Sequence, residues 1–232
     1  MKITRLALLA ATAITTAAGL SAAAAQDATG PWSVSANVAL TNDYRFRGVS
    51  LSDESFAIQG GLDASHESGF YVGTWASSLS GDGIPTELDA YAGYGFGTDA
   101  ISFDVGVIGY FYPGARTSAG DDLDYVEFYG SASTDVGTGS LTVGLAYAPE
   151  QDGTGETDNT YVYGSYSVPL SDALTFDALI GYEDGAFAAE KVDWSLGIGT
   201  SLGALDVSLA YVGYDSDAGD DNTVVISVGK TF

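Results

Sequence analysis

Residues Trp32 to Arg47 read WSVSANVALTNDYRFR, and apolar and polar side chains alternate along this stretch. The even positions are mostly apolar and include Tyr44 and Phe46, whereas the odd positions are mostly polar and include Arg45. An alternation of period two indicates a β-strand with one apolar face and one polar face. The stretch therefore predicts a first strand with Tyr44 and Phe46 on its apolar face and Arg45 and Arg47 on its polar face.

The same alternation returns along the rest of the chain and predicts twelve strands in all. It is clear in residues 88–96, 101–107, 141–147, 174–182, 192–198, 205–211 and 224–228, and less regular in residues 70–79, 124–133 and 160–168. In the third predicted strand, two sets of residues compete for the outward face: Phe70, Val72 and Ala76, or Tyr71, Trp75 and Leu79. The count of twelve is an even number.

The connections between the predicted strands alternate in length. Short turns follow every second strand. The connections after the remaining strands are mostly longer and more acidic, and they comprise residues 81–85, 112–122, 149–159 and 215–222. Strands of about ten residues with loops sorted in this way are typical of outer-membrane barrels, because every backbone polar group in lipid must be hydrogen-bonded. The predicted fold class is all-β, a single transmembrane antiparallel up-and-down β-barrel of about twelve strands.

Aromatic side chains lie mainly at the ends of the predicted strands, as the girdles of membrane barrels do. On the outward register they are Trp32, Tyr44, Phe46, Phe56, Tyr94, Phe96, Phe111, Tyr182, Trp194 and Tyr211. The alternative is that these aromatic rings close the core of a soluble β-protein. The sorted loops favour the membrane barrel.

The N-terminus has the pattern of a secretory signal peptide. Lys2 and Arg5 precede an apolar run, and residues 23–25 are three alanines that form a cleavage site. Residues 1–25 are therefore predicted to be a cleaved signal peptide, and residues 26–232 the outer-membrane β-barrel. A retained membrane anchor is the alternative, but the apolar run is short and ends in small residues. Export predicts a location in the Gram-negative outer membrane.

The composition excludes several classes of function. The 232 residues include 31 Asp and Glu against 7 Lys and Arg, which gives a formal net charge of −24, so nucleic acid is excluded as a partner. The chain has no cysteine, and therefore no disulfide, no thiolate nucleophile and no lipoprotein anchor. With 46% hydrophobic residues it is too apolar for a disordered acidic chain.

The C-terminal strand ends with an aromatic residue. Val224, Ile226 and Val228 alternate with polar residues or valine before the terminal Phe232. This pattern resembles the signal by which the barrel-assembly machinery recognises its substrates. We therefore expect these four residues to act as an assembly signal, with that machinery as a partner during biogenesis and outer-membrane lipids as the permanent surroundings.

Three stretches of the first third of the predicted barrel carry a more specific resemblance. Residues 41–50 read TNDYRFRGVS, residues 59–78 read QGGLDASHESGFYVGTWASS, and residues 87–94 read ELDAYAGY. Together they resemble the TorF family of proteobacterial porins. The resemblance implies an outer-membrane barrel with a role in transport.

The inner register of the predicted barrel is strongly acidic. Its candidate lumen and selectivity residues are Arg45, Arg47, Asp63, Glu87, Asp89, Asp104, Glu127, Asp177, Asp193 and Asp206, with Lys191 near the rim. A wall that carries one sign of charge attracts counterions. The sequence therefore predicts a porin-like channel for passive diffusion of small hydrophilic or cationic solutes, with a cation preference. The alternative is a plugged, non-conducting surface barrel in which the arginines pair with internal carboxylates.

No motif for catalysis or metal binding accompanies this pattern. The only histidine, His66, falls in a predicted short turn, so a surface active site that uses it is not expected. Residues 215–221 resemble a calcium loop only superficially, because the twelfth position, where an EF-hand needs a bidentate acid, is Ile226. The prediction is a protein that is not an enzyme, with no catalytic residue, no metal site and no cofactor.

Overall fold

The structure, a computed structural model, describes residues 30–80, 84–116 and 122–232. The predicted signal peptide and its cleavage site lie outside these residues. Twelve antiparallel strands form a closed barrel, and two short strands pair separately. The strands are β1 Trp32–Thr41, β2 Arg45–Phe46, β3 Val49–Ser50, β4 Ala57–His66, β5 Phe70–Ser78, β6 Thr86–Gly97, β7 Ser102–Phe111, β8 Tyr125–Val136, β9 Gly139–Ala148, β10 Asn159–Ser171, β11 Leu174–Gly185, β12 Lys191–Leu202, β13 Leu205–Ser216 and β14 Gly219–Thr231. The predicted twelve-stranded up-and-down barrel is confirmed.

The barrel closes because β1 pairs with strands from both ends of the sheet. Trp32 lies opposite His66 of β4, and Thr41 lies opposite Ser227 of β14. Closure leaves the wall with no free edge, which is a requirement for a sheet that spans a membrane. Within the described ranges the helical structure is limited to the 3₁₀ turn Asp152–Thr154, and no described helix is long and apolar enough to cross a membrane.

The predicted alternation is present in the wall. Val34, Ile58 and Ile180 point outward and are more than 60% exposed, as expected of side chains that face lipid. In β5 the residues that face outward are Phe70 and Val72, which settles the ambiguity of that strand. Its inner face includes Tyr71, which is buried.

The two ends of the barrel differ, and we name them by their connections. The turn end carries the short links at residues 67–69, 98–101, 137–138, 172–173 and 203–204, and both the start of β1 and the end of β14 lie there. The loop end carries most of the longer connections. At this end the prediction of a loop over residues 215–222 is wrong: β13 continues to Ser216 and β14 begins at Gly219. Acidic residues are compatible with a strand where the hairpin projects beyond the apolar band into water.

The prediction for the end of the first strand is also wrong. β1 ends at Thr41, and residues 42–56 turn into the barrel, where β2 and β3 form a small hairpin. Tyr44 and Phe46 therefore do not face outward: Tyr44 is only 1% exposed, and the ring of Phe46 lies 5.8 Å from that of Tyr110 on the inner wall. Alternation shows which residues share a face, but not whether that face belongs to the wall. We call residues 42–56 the plug hairpin.

Tyrosine rings cover part of the inner wall. The rings of Tyr71 and Tyr91 lie against Gly93 and Gly73 of the neighbouring strand, so close that a Cβ at either glycine would come within 2.5 Å of the ring. Only glycine permits this approach. The rings therefore lie along the wall, and their faces remain available to the interior.

Candidate functional site

The plug hairpin has its own internal organisation. Its two short strands pair Arg45 with Ser50 and Phe46 with Val49, which leaves Arg47 and Gly48 as the two turn residues. Both have positive φ, 48° and 85°, as a type I′ turn requires. For arginine this conformation is unfavourable, so the surrounding contacts must stabilise it.

Asp43 holds the base of the hairpin together. Its carboxylate accepts hydrogen bonds from Nε of Arg45 at 2.6 Å, from Oγ of Ser50 at 2.6 Å and from Oγ of Ser52 at 3.1 Å. Ser52 also accepts a hydrogen bond from the backbone N–H of Tyr44 at 2.8 Å. These bonds satisfy polar groups that enter a buried position, which otherwise costs free energy.

Arg47 at the tip of the hairpin reaches two strands of the wall. Its Nη2 donates to both carboxylate oxygens of Glu127 on β8 at 2.7 Å, and its Nη1 donates to Glu183 on β11 at 2.7 Å. The guanidinium also lies 4.3 Å from the ring centroid of Tyr161 and 4.7 Å from that of Phe46. Charge-assisted hydrogen bonds and cation–π contacts therefore hold the tip inside the lumen.

Further polar contacts extend this network along the wall. Glu183 accepts hydrogen bonds from Asn159 at 3.0 Å and pairs with Nζ of Lys191 at 2.5 Å. The hydroxyl of Tyr161 donates to Asp193 at 3.1 Å. Glu183 thus binds two cations, Arg47 and Lys191, and is not dependent on either one alone.

Two more contacts tie the hairpin to other strands. Nη1 of Arg45 pairs with Asp221 of β14 at 2.7 Å, and the hydroxyl of Tyr44 donates to Glu87 of β6 at 2.8 Å. With the contacts of Arg47, the hairpin is attached to β6, β8, β11 and β14. These strands lie on different sides of the barrel, so the plug hairpin crosses the lumen at the loop end.

The surroundings keep the groups of the hairpin in the protonation states that these contacts need. Burial lowers the pKa of Arg47, but the carboxylates of Glu127 and Glu183 more than offset this and raise its pKa well above the ordinary value. Burial, together with the charge of Glu87, also raises the pKa of Tyr44. Arg47 therefore stays charged, and Tyr44 stays a hydrogen-bond donor.

The ten predicted lumen residues all lie inside the barrel, in two groups. The group at the loop end is at most 5% exposed and consists of Arg45, Arg47, Glu87, Asp89, Glu127 and Asp193. The group toward the turn end is less buried and consists of Asp63, Asp104, Asp177 and Asp206. The structure thus brings the first six together around the plug hairpin, and it leaves the other four along the wall.

The acids toward the turn end are bound mainly by hydroxyl groups. Tyr91 donates to Asp63, Tyr71 donates to Asp104 at 2.8 Å, and Ser201 donates to Asp206 at 2.6 Å. Among the described residues, none of these acids has a basic partner within ion-pair distance, since the ion pairs of the inner wall all lie at the loop end. This part of the lumen is therefore negatively charged.

Sequence analysis missed several residues of the site. Glu183 follows Tyr182 on the polar face of the same strand, so extending the predicted strand by one residue would have included it. Asp221 was assigned to a loop because of its acidic neighbours. Tyr44 gave no signal at all, because its role depends on the inward path of the hairpin.

The predicted assembly signal lies on the outer surface, from the middle of β14 to the turn end. Val224, Ile226 and Val228 face outward on β14, and Phe232 is 56% exposed. The backbone of Phe232 exchanges two hydrogen bonds with Ala36 of β1, at 2.8 and 3.2 Å. Recognition of these residues by the assembly machinery stays a prediction. Within the described residues, no group of three or more His, Cys, Asp or Glu side chains is arranged to hold a metal ion.

Solved outer-membrane barrels have the same fold at very low sequence identity. The NanC porin is 12% identical with a TM-score of 0.58, and the match covers 85% of this chain and 99% of that one. The KdgM porin in complex with disordered oligogalacturonate is 10% identical with a TM-score of 0.57, over 85% and 99%. The COG4313 outer membrane channel from Pseudomonas putida F1 is 11% identical with a TM-score of 0.50, over 90% and 97%. These similarities establish the fold.

Sequence comparison adds one family. Residues 25–232 match a family described as bacterial protein of unknown function (Gcw_chp). No curated protein sequence matches the chain. The resemblance to TorF porins is supported at the level of a porin-like outer-membrane barrel, and the TorF assignment itself is not confirmed.

Proposed function

The chain belongs to the Gcw_chp family of bacterial proteins of unknown function, and we propose that it is a porin-like outer-membrane channel that passes small hydrophilic solutes and prefers cations. The observation that carries this proposal is the charge of the inner wall toward the turn end. Asp63, Asp104, Asp177 and Asp206 lie there, and the three basic residues of the described lumen lie at the loop end.

The electrostatic argument follows from this separation. A cation entering from the turn end meets carboxylates whose charges hydroxyl groups solvate but do not neutralise. In a narrow lumen with a wall of low dielectric constant, such charges raise the local concentration of cations and exclude anions. The KdgM porin, which has the same fold, was solved with oligogalacturonate, a polyanion. An acidic lumen favours solutes of the opposite charge.

The plug hairpin restricts the path at the loop end. The side chains at its centre, Arg47, Glu127 and Glu183, are at most 5% exposed, so little water reaches them while the hairpin is docked. This burial favours a second candidate, a barrel that does not conduct and serves at the cell surface. In the channel, ions pass beside the docked hairpin or pass when it moves aside. In the non-conducting barrel, the docked hairpin closes the path.

Planar bilayer recordings distinguish these functions. We expect the refolded barrel in a steep KCl gradient to conduct, with a reversal potential of the sign that K⁺ selectivity produces. Replacing three of the four wall acids in the variant Asp63→Asn, Asp104→Asn, Asp177→Asn should move the reversal potential toward zero. The matched control replaces two exposed acids of the turns, Glu67→Gln and Asp172→Asn, and should leave it unchanged, because charges in water are screened.

Two results would contradict the proposal. A reversal potential of the anion-selective sign would eliminate the cation preference, and complete absence of conductance in the wild-type barrel would favour the non-conducting barrel. The location is tested separately, by fractionation of the native bacterium. We expect the protein in the outer membrane.

A further inference from the structure

Three buried acids of the inner wall, Glu87, Asp89 and Asp193, make no ion pair with any described residue, and two of them belong to one strand. Glu127 and Glu183 pair with Arg47, and Asp43 pairs with Arg45. Glu87 and Asp89 on β6 are equally buried, 1% and 0% exposed, but neither makes an ion pair with any described residue. Buried carboxylates without a cation are costly, since neither water nor a positive charge stabilises them. This pair is therefore a place where the protein is electrostatically incomplete.

The unpaired atoms of this site are three carboxylate oxygens. Oε1 of Glu87 accepts the hydrogen bond of Tyr44, but Oε2 of Glu87 and both Oδ atoms of Asp89 have no hydrogen-bond partner among the described residues. The two acids are separated by one residue, so both side chains point to the inside of the barrel. While both acids are ionised, the three oxygens are acceptors without a donor.

Aromatic rings enclose the pair. Asp89 lies directly opposite Trp75 on β5 and Tyr110 on β7. Two rings of the plug hairpin cover these wall residues: Tyr44 packs on Trp75 with ring centroids 5.4 Å apart, and Phe46 packs on Tyr110 at 5.8 Å. Organic cations bind where aromatic rings surround carboxylates, because the rings attract positive charge without competing for hydrogen bonds.

We propose that Glu87 and Asp89 form a binding subsite for the primary ammonium group of a small organic amine. The inference rests on the proposed channel and names a class of solute for it. A primary ammonium group has three N–H donors, which equals the number of unpaired oxygens of the site. Its carbon substituent contacts the rings of Trp75 and Tyr110, whereas a hydrated metal cation gains much less from that contact.

The plug hairpin controls access to this subsite. Tyr44 bonds to Glu87 and packs on Trp75, so the docked hairpin separates the pair from the lumen. An amine enters when the hairpin moves away, and it contacts the three oxygens and the rings once the hairpin has docked again. On the same side of the barrel, Asp63 with Tyr91 and Asp104 with Tyr71 provide further carboxylates beside phenol rings, which a cation meets on its way from the turn end.

Equilibrium binding tests the subsite without any need for conductance. Methylammonium chloride is titrated calorimetrically into the refolded full-length barrel in detergent, at constant ionic strength maintained with NaCl. We expect saturable binding to the wild type, and at least tenfold weaker binding to Glu87→Gln, Asp89→Asn, which is a loss of about 1.4 kcal/mol. The control Glu67→Gln, Asp172→Asn makes the same chemical changes in exposed turns and should bind like the wild type.

A second variant separates the class of ligand from charge alone. Trp75→Leu keeps both carboxylates. We expect it to weaken methylammonium binding and to leave the affinity for Na⁺, measured by competition, unchanged. This variant also tests the site should the double variant fail to fold.

Three results would overturn the subsite: no saturable binding of methylammonium to the wild type, undiminished binding to the double variant, or an affinity for Na⁺ as high as that for methylammonium. A barrel that conducts K⁺ but binds no amine would overturn this inference alone. A barrel that binds methylammonium but does not conduct would overturn the channel and leave the binding subsite in place.

Discussion

A barrel without the plug hairpin is expected to conduct several-fold more current than the wild type. The register of the wall makes a clean deletion possible, because Thr41 and Ala57 lie directly opposite each other on β1 and β4. In the deletion variant, a two-residue turn therefore suffices to join these strands. Replacing residues 43–56 by a single glycine leaves Asn42 followed by glycine, the preferred sequence for a type I′ turn. Asn42 also keeps its hydrogen bonds to Val224 and Ile226 of β14.

The expected increase has a structural reason. The deletion removes Arg45, Arg47 and the rings of Tyr44 and Phe46 from the lumen, while the twelve wall strands keep their pairing. It also exposes Glu87, Glu127 and Glu183 to water without their cationic or phenolic partners from the hairpin. We therefore expect both a larger single-channel conductance and a stronger cation selectivity than in the wild-type barrel.

The loop between β9 and β10 provides a matched control. Ala148 and Asn159 are register partners, so Asn-Gly in place of residues 149–158 closes that hairpin in the same way. This loop has mostly exposed side chains, and its Gln151 bonds to the backbone of Val126 at the start of β8. Its removal should leave the conductance unchanged. Equal conductance in the wild type and in the variant without the plug hairpin would show that the hairpin does not limit the flow of ions.

The wall was predictable from sequence because its physical cause is local. A strand between lipid and a polar interior must alternate, and Val34, Ile58 and Ile180 follow that rule on three different strands. The same rule placed Asp63 and Asp104 inside. Within the wall it failed where the environment changed, beyond the apolar band at Ser216 to Gly219, where a strand has no need to be apolar on either face.

The plug hairpin was not predictable, because alternation continues beyond the end of β1. Tyr44 and Phe46 occupy the register positions of outward-facing aromatics, yet their partners, Glu87 and Tyr110, are far away in sequence. The positive φ of Arg47 is likewise stabilised by Glu127 and Glu183, which belong to other strands. Only long-range contacts distinguish a strand that continues from one that folds inward.

Loss of the Arg47 side chain is expected to release the plug hairpin from the wall. In Arg47→Met, Glu127 stays buried without its cation, whereas Glu183 keeps Lys191 and Asn159. Removing one partner of a buried ion pair typically costs about 3–5 kcal/mol, mainly because the remaining charge is uncompensated. The docked hairpin should lose a free energy of this size relative to an undocked state, although the barrel wall stays folded.

Hydrogen exchange at one amide measures this loss. The backbone N–H of Leu51 donates to the carbonyl oxygen of Tyr44 at 2.7 Å within the hairpin, and we expect undocking to expose it. A loss of about 3 kcal/mol corresponds to an exchange rate roughly a hundred times faster. Amides in the middle of β12 should exchange at the wild-type rate, since their hydrogen bonds belong to the wall.

A double variant identifies the cause as charge rather than lost packing. Arg47→Met, Glu127→Gln removes the uncompensated carboxylate, and methionine still fills the space between the rings of Phe46 and Tyr161. If the penalty arises from the buried charge of Glu127, this variant must recover most of the protection of the Leu51 amide, because replacing both members of a buried ion pair is often nearly neutral. Exchange as fast in the double variant as in Arg47→Met would instead assign the docking energy to contacts of the guanidinium with the rings and with Glu183. The hairpin would then be held by the aromatic rings and Glu183 rather than by Glu127.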